Sequence, residues 1–394
     1  MFELTAKTES GTRLVELAER LAEDMATRAA QHDREASFPF ASFDALKRAG
    51  YFTAPIPAEH GGLGVTSVHD LLVASSRLAR GDASVAIGVN MHLAVLMNIV
   101  RRWEAAVRAG DARRSAAFGE SMAAIARDGV VMATAISEIG QDLTRPQTTA
   151  VRTDSGWRID GRKAFCTMSP AATVLLTAVT FVDEHGVERY GYAEVPPETD
   201  GVEIHGDWDA LGMRASGSHS VTFSGAEIAP RALRGGFLTG DAEAYMDRNL
   251  VAGLFHASAS LGIAESAAAT AAAAVAKRDA PDSRTHWLVA TNAIELGACR
   301  AMLSRAGTLV DEDEQDLVGL FAETQATKTF VNEAAARIVD RALAASGGAG
   351  YLNGHPLARA YRDVRAGSFM HPLASNRAYE FLVDVALGRE VALH

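Results

Sequence analysis

The sequence predicts an α+β fold, mostly α, with a helical unit over residues 1–129, a small β-barrel-like domain over 130–235 and a four-helix bundle over 236–394. Two observations carry this. Before about residue 128 and again after 240, apolar residues recur at three- and four-residue spacing, the period of helices that bury one face. Between about 130 and 230 the pattern changes to alternating and β-branched runs with Gly-rich turns, which predicts a largely antiparallel sheet.

In the first unit, Leu14, Leu17, Leu21 and Met25 mark an amphipathic helix over 12–31. Pro39, Ala49-Gly50 and Pro55-Ile56-Pro57 punctuate a shorter helix, and His60-Gly61-Gly62 is a loop. Helices are predicted over 67–80, 84–103 and 112–127, the second strongly apolar and so buried between neighbours. In the central domain a loop carries Ser137, Glu138 and Gln141. Short strands follow over 148–153 and 157–160, then a turn at Asp160-Gly161 and a third run leading to Thr167. Further strands are predicted over 173–182, 190–195 and 220–228. The chain then returns to helix over 242–278, 284–310, 316–346, 356–365 and 374–387, with Ala280-Pro281-Asp282-Ser283 as a break. Such long apolar-faced helices suggest a four-helix bundle and a surface for subunits. The acidic run at 311–316 reads as a solvated loop and helix start.

The 394 residues, 48% of them hydrophobic, can bury a large core. A net charge of −11 argues against non-specific nucleic-acid binding, which requires a basic face. The two cysteines allow no disulfide framework and no CxxC metal spacing, so a reducing cytoplasm is the expected home. No signal-peptide-type run and no long uninterrupted apolar stretch is evident, so neither secretion nor membrane spanning is expected.

Three motifs carry chemistry. Ser137-Glu138-Ile139-Gly140 is followed by Phe165-Cys166-Thr167. Gly212-Met213-Arg214-Ala215-Ser216 runs on into Gly217-Ser218-His219. Ser346-Gly347-Gly348-Ala349-Gly350-Tyr351 precedes Tyr361-Arg362-Asp363. Together they resemble the acyl-CoA dehydrogenase superfamily over nearly the whole chain. The resemblance implies that fold, with FAD or FMN lying against the sheet. It implies that Ser137, Phe165, Cys166, Thr167, Arg214 and Ser216 lie along the flavin, and that Gly347, Gly348 and Gly350 approach its distal part. It also implies a homotetramer or homodimer. On its residues alone, FCTMS is equally an ordinary buried strand end, and a GGxG is equally a turn.

Departures from the family pattern select the branch. Desaturating an acyl thioester needs a carboxylate to remove the α-proton while hydride leaves to the flavin. The stretch resembling the family's base segment is Phe369-Met370-His371-Pro372-Leu373, so His371 stands where a Glu is usual. Asp247, just before Arg248, is the alternative base. Tyr245 replaces an acid that helps hold CoA, and AKRDAPDSRTHWL replaces an Arg-x-x-Phe-Gly flavin contact. These features resemble the flavin-dependent monooxygenases of this fold. Those take reduced FMN or FAD from a separate reductase, form a flavin C4a-hydroperoxide and oxygenate a small aromatic, amine or sulfur substrate. His371, with His92, would then handle protons, since an imidazole titrates near neutrality. Each histidine also has a plain structural reading, His92 as a hydrogen-bonded core residue and His371 as a helix-start residue before Pro372. The competing functions are an FAD-dependent acyl-CoA dehydrogenase using Asp247 and a flavin-free assembly scaffold. No metal site is expected.

Overall fold

The computed structural model describes residues 3–140, 142–280, 282–313, 316–391 and 393. The expectations for Gln141, for Pro281 as helix breaker and for positions 314 and 315 of the acidic run lie outside them.

The N-terminal helices are α1 (Glu9–Glu35), α2 (Phe40–Arg48), α3 (Val68–Gly81), α4 (Ala83–Arg108) and α5 (Ala112–Asp128). Each start but that of α2 has a side-chain cap. Thr8 accepts from Gly11 N at the head of α1, Ser67 from Asp70 N at α3, Asp82 from Ser84 N and Val85 N at α4, and Asp111 from Arg114 N at α5. The strands are β1 (Met132–Ala135), β2 (Thr149–Arg152), β3 (Trp157–Cys166), β4 (Val174–Val182), β5 (Glu188–Val195), β6 (Val202–Ile204), β7 (His219–Ile228) and β8 (Leu233–Leu238). The C-terminal helices are α6 (Ala242–Asn249), α7 (Ala252–Val275), α8 (Ser283–Glu312), α9 (Leu317–Ser346), α10 (Pro356–Asp363) and α11 (Ser375–Ala386).

The strands form one eight-stranded sheet in the order β6-β7-β3-β2-β4-β5-β8, with β1 beside β4. β1 and β2 both run parallel to β4, and the remaining pairs are antiparallel. β1 pairs with residues 174–177 of β4, and β2 rejoins the same edge only at Thr180. The chain between them, with Ser137 and Glu138, therefore occupies a gap in the sheet.

Four local readings are corrected. Asp160-Gly161 is not a turn, because β3 runs straight through it. The register slips there from Ile159↔Ala226 to Asp160↔Ser224, and the Asp160 Oδ1 accepts from Gly225 N at 2.8 Å, the mark of a bulge. A Cβ at Gly161 would lie 2.4 Å from Thr148 Oγ1, so the glycine serves close approach of β2. The predicted helix over 242–278 is two helices, α6 and α7, interrupted at Leu250-Val251. The helix over 356–365 ends at Asp363 and continues as tighter turns to Phe369. The short strands β1, β6 and β8 escaped the period-two reading.

The two helical units, separated in sequence by the sheet, share one apolar core. α7 lies at its centre, packed on α3 and α4 as well as on α8 and α9. Leu254, Phe255, Leu261 and Ile263 are buried there, each stabilising the fold by about 1.5–3 kcal/mol relative to exposure. Gly262 lets α7 close on α3, since a Cβ would meet Ser76 O at 2.2 Å. The sheet has its own smaller core around Ile159, Leu175, Val179, Val221 and Phe223. Two apolar helical stretches, Ala83–Arg108 and Ala242–Val275, are long enough to cross a bilayer, but 78% and 89% of their most apolar windows are buried inside the protein.

Candidate active site

Between the sheet and the helices lies a cavity of about 1260 Å³, larger than the roughly 300–1,000 Å³ typical of a single small-molecule site. Its walls come from α4, α5, the β1–β4 edge, the ends of β5 and β8, the loop before β7, the α6–α7 break and the segment ending at His371. Of the sequence-predicted residues, Ser137, Phe165, Thr167, Ser216 and His371 line it.

The sheet side of the site is rigidly braced. Lys163 is fully buried, and its Nζ lies 2.5 Å from Glu138 Oε1 and 2.7 Å from Ala178 O. Glu138 also accepts from Thr148 N, Thr148 Oγ1 and Gln147 N. These bonds anchor the Ser137 loop in the sheet gap, and Ala164 N donates to Ser137 O at 2.9 Å. The register of β3 slips a second time between Lys163 and Cys166, and this irregularity, rather than plain alternation, turns Phe165 outward and leaves Cys166 buried. Phe165 has φ +55° and is 64% exposed, its ring edge-on to Trp208 at 5.9 Å. Ser218 donates to Thr167 Oγ1 at 2.9 Å and lies 2.7 Å from Ser216 Oγ, giving a short chain of hydroxyls on the wall.

Five of the residues expected beside the flavin do not line the cavity. Cys166 points into the sheet core, where burial pushes its thiol up to about 12. Arg214 is outside the wall; its Nε donates to Asp33 O at 2.8 Å and its Nη1 to Ala210 O at 3.2 Å, tying the preceding loop to the end of α1. Gly347, Gly348 and Gly350 form a tight turn after α9 that does not border this chain's cavity.

The helical side holds His371. Asn249 donates its amide to Tyr245 O at 2.8 Å, which turns its Oδ1 toward His371 Nε2 at 2.7 Å. The histidine must therefore carry its proton on Nε2 and offer Nδ1 as an acceptor. Burial, reinforced by the Lys328 charge, lowers the ring to about 3, so the expected titration near neutrality does not occur. Lys328 is buried beside it, donating to Met370 O and Leu373 O at 2.5 and 2.6 Å and so bracketing His371-Pro372; burial brings its own pKa down to about 7.

His92 is not catalytic in this geometry. Its Nε2 lies 2.9 Å from Phe52 O and its Nδ1 accepts from Met132 N at 3.0 Å. Both nitrogens are spent on backbone, and burial lowers the ring to about 4. Its role is to hold the start of β1. Asp247 is not on the cavity wall and is engaged 2.8 Å from Nη2 of the wall residue Arg102.

Among the wall residues that the sequence did not single out as site residues are Trp208, Asn249, Arg248 and His256. His256 is buried with neither ring nitrogen hydrogen-bonded, and burial, Lys328 and His371 together keep it neutral. Among the described residues the carboxylates on the wall are Glu120, Asp128 and Glu194, and Glu194 is paired with Arg234 at 2.9 Å. None neighbours His371 in sequence or hydrogen bonding.

Comparison with known proteins agrees with this architecture. Models of the acyl-CoA dehydrogenase N-terminal, middle and C-terminal domains match residues 8–109, 132–226 and 248–371. The amino sugar nitrososynthase DnmZ of Streptomyces peucetius is 31% identical over 97% of this chain and 95% of its own. Another amino sugar nitrososynthase, RubN8 of Streptomyces rubradiris, is 33% identical over 98% and 92%. The structure of KijD3 in complex with FMN and dTDP-3-amino-2,3,6-trideoxy-4-keto-3-methyl-D-glucose superposes with a TM-score of 0.89 at 31% identity, covering 99% of this chain and 97% of KijD3. With all three domain models matched in order along one continuous fold, the chain belongs to the acyl-CoA dehydrogenase family of flavin-dependent oxidoreductases.

Proposed function

We propose that this enzyme is a monooxygenase that uses reduced FMN, supplied by a separate reductase, to oxidise the primary amine of a nucleotide-linked amino sugar. The observation that carries the reading is the neutral His371, held by Asn249, at the position where a dehydrogenase needs a carboxylate. An α-proton of an acyl thioester is not removed by a ring with a pKa near 3, and Asp247 is engaged with Arg102. An amine makes the opposite demand. It reacts through its lone pair and must be uncharged, which a wall of neutral imidazoles without an adjacent carboxylate favours.

The residues present fit a flavin: the cavity exceeds one small ligand, and Phe165, Trp208 and the Thr167–Ser218–Ser216 hydroxyls form one side of it. Thr167 and Ser137 would bond the ring edge, and Phe165 and Trp208 would cover its surface. Reduced flavin supplies two electrons and activates dioxygen, so that one oxygen atom passes to the amine, giving a hydroxylamine, and the other leaves as water. A second such round converts the hydroxylamine to a nitroso group and releases two waters. His371 orients the amine by accepting an N–H at Nδ1, which leaves the nitrogen lone pair free. The buried Lys328 keeps His371 in place through the backbone on either side of it. The identity of the relatives as amino sugar nitrososynthases supports the substrate class.

The test supplies enzymatically reduced FMN, oxygen and a dTDP-linked amino sugar, with products read by mass spectrometry. Oxygen added to the amine sustains the reading. Formation of an enoyl thioester from an acyl-CoA, with bleaching of bound flavin, would overturn it.

A further inference from the structure

Two arginines on the cavity wall, Arg248 and Arg365, have no carboxylate partner among the described residues. Arg365 lies over the Tyr361 ring at 4.5 Å, and of the two only Arg248 has a guanidinium nitrogen buried without a partner. At the end formed by α4, β5, β8 and α6, the arginines Arg102, Arg234 and Arg248 line the wall. Arg102 is bonded to Asp247 at 2.8 Å and Arg234 to Glu194 at 2.9 Å, so each of those charges is balanced. Arg248 differs. Its Cζ lies 4.2 Å from the Phe237 ring centre and 4.8 Å from that of Tyr192. Among the described residues its side chain has no carboxylate partner and no hydrogen-bond acceptor, and its Nε is sealed from solvent unpaired.

Stacking on aromatic faces steadies a guanidinium, but uses only the faces of its plane. The N–H edge remains, and it is a fork that matches two oxygens of a phosphate or carboxylate. A cation drawn partly out of water without such oxygens loses hydration that nothing replaces. Burial and the neighbouring Arg102 bring its pKa down to about 10, which still leaves it charged at neutral pH. The whole chain carries a net charge of −11, so attraction of an anion into this cavity must come from a local charge of this kind.

We infer that Arg248 is an anion-binding residue of the cavity and receives the phosphoryl oxygens of the substrate. This rests on the nucleotide-linked substrate proposed above. The other source of the same chemistry is the phosphate of FMN.

The test is calorimetric titration of the full chain with thymidine diphosphate, inorganic pyrophosphate and oxidised FMN, in wild type, Arg248→Lys, Arg248→Gln and Arg248→Met. The expected result is a loss of about tenfold or more in both diphosphate affinities for the Met and Gln variants. Lysine should recover part of this loss, and FMN affinity should stay within about twofold. Melting curves establish which variants fold; Arg248→Lys and Arg248→Gln serve if Arg248→Met does not. Unchanged diphosphate binding in a folded neutral variant overturns the inference, as does a loss confined to FMN or a wild type that binds neither diphosphate. Arg248-dependent pyrophosphate binding without thymidine diphosphate binding upholds the anion site and sinks the nucleotide-linked substrate instead. Arg248-dependent binding of both, with no amine oxidation, upholds the site and counts against the proposed reaction alone.

Discussion

His371 and Asn249 are joined by a single bond of 2.7 Å whose direction is fixed from behind, because the Asn249 amide is committed to the carbonyl of Tyr245. That relay chooses the histidine tautomer. Asn249→Leu should therefore lower kcat about 10- to 100-fold, with FMN and substrate affinity little changed. His371→Ala should abolish oxygenation while flavin binding persists. Steady-state kinetics beside FMN titration decide both, and unchanged turnover in either variant would remove that residue from the chemistry.

Acid should destabilise the protein from a higher pH than carboxylates alone would require. His92, His371 and His256 have folded pKa values below the ordinary 6.5, at about 4, about 3 and well below it. The unfolded chain then binds more protons, so the stability these rings contribute is complete above about 6.5 and is lost as the pH falls toward the folded values. Each contributes a slope of about 1.4 kcal/mol per pH unit in that window. Urea midpoints between pH 7 and 5 measure it, and His92→Gln should flatten the curve.

Lys163 and Glu138 form a buried pair under the Ser137 loop. Lys163→Met alone should destabilise by about 3–5 kcal/mol, because it strands a carboxylate in the interior, whereas Lys163→Met with Glu138→Leu should cost less. FMN affinity should fall with both, since the loop loses its anchor. Chemical denaturation and flavin titration on the same samples separate the two effects.

Lys328→Met should cost about 2–4 kcal/mol by leaving Met370 O and Leu373 O without their donor. It should lower kcat together with stability, because those carbonyls bracket His371. A variant that melts lower but turns over normally would show that the bracket is structural only.

Trp287 and Ile294 on α8 are 60% and 71% exposed, large apolar groups on one helix of a chain expected to form dimers or tetramers. Light scattering should give a multiple of the monomer mass, and a double Trp287→Glu, Ile294→Glu variant should shift it toward monomer.

Legibility in the sequence followed the length of each signal. The long helices were readable because their apolar period persists through many turns. β1 and β6 run only Met132–Ala135 and Val202–Ile204, and in β8, Leu233–Leu238, Gly235-Gly236 interrupts the alternation. The break between α6 and α7 carries no Pro or Gly at Leu250-Val251, so nothing local announced it, yet it brings Arg248, Asn249 and His256 to the wall. Ser137, Phe165, Thr167, Ser216 and His371 were found by motif and do meet in one cavity. His92 stayed between two readings because a histidine on an apolar helix looks the same whether it serves a substrate or the backbone of β1. Asn249 was unreadable because its partner His371 lies 122 residues away.

The core shared by α3, α4 and α7 also bears on how the chain is born. The apolar faces of α3 and α4 leave the ribosome well before α7, with the whole sheet still to be made between them. Until α7 arrives, the nascent chain exposes the faces of α3 and α4 that α7 will bury, the kind of apolar surface that makes an incomplete chain prone to aggregate.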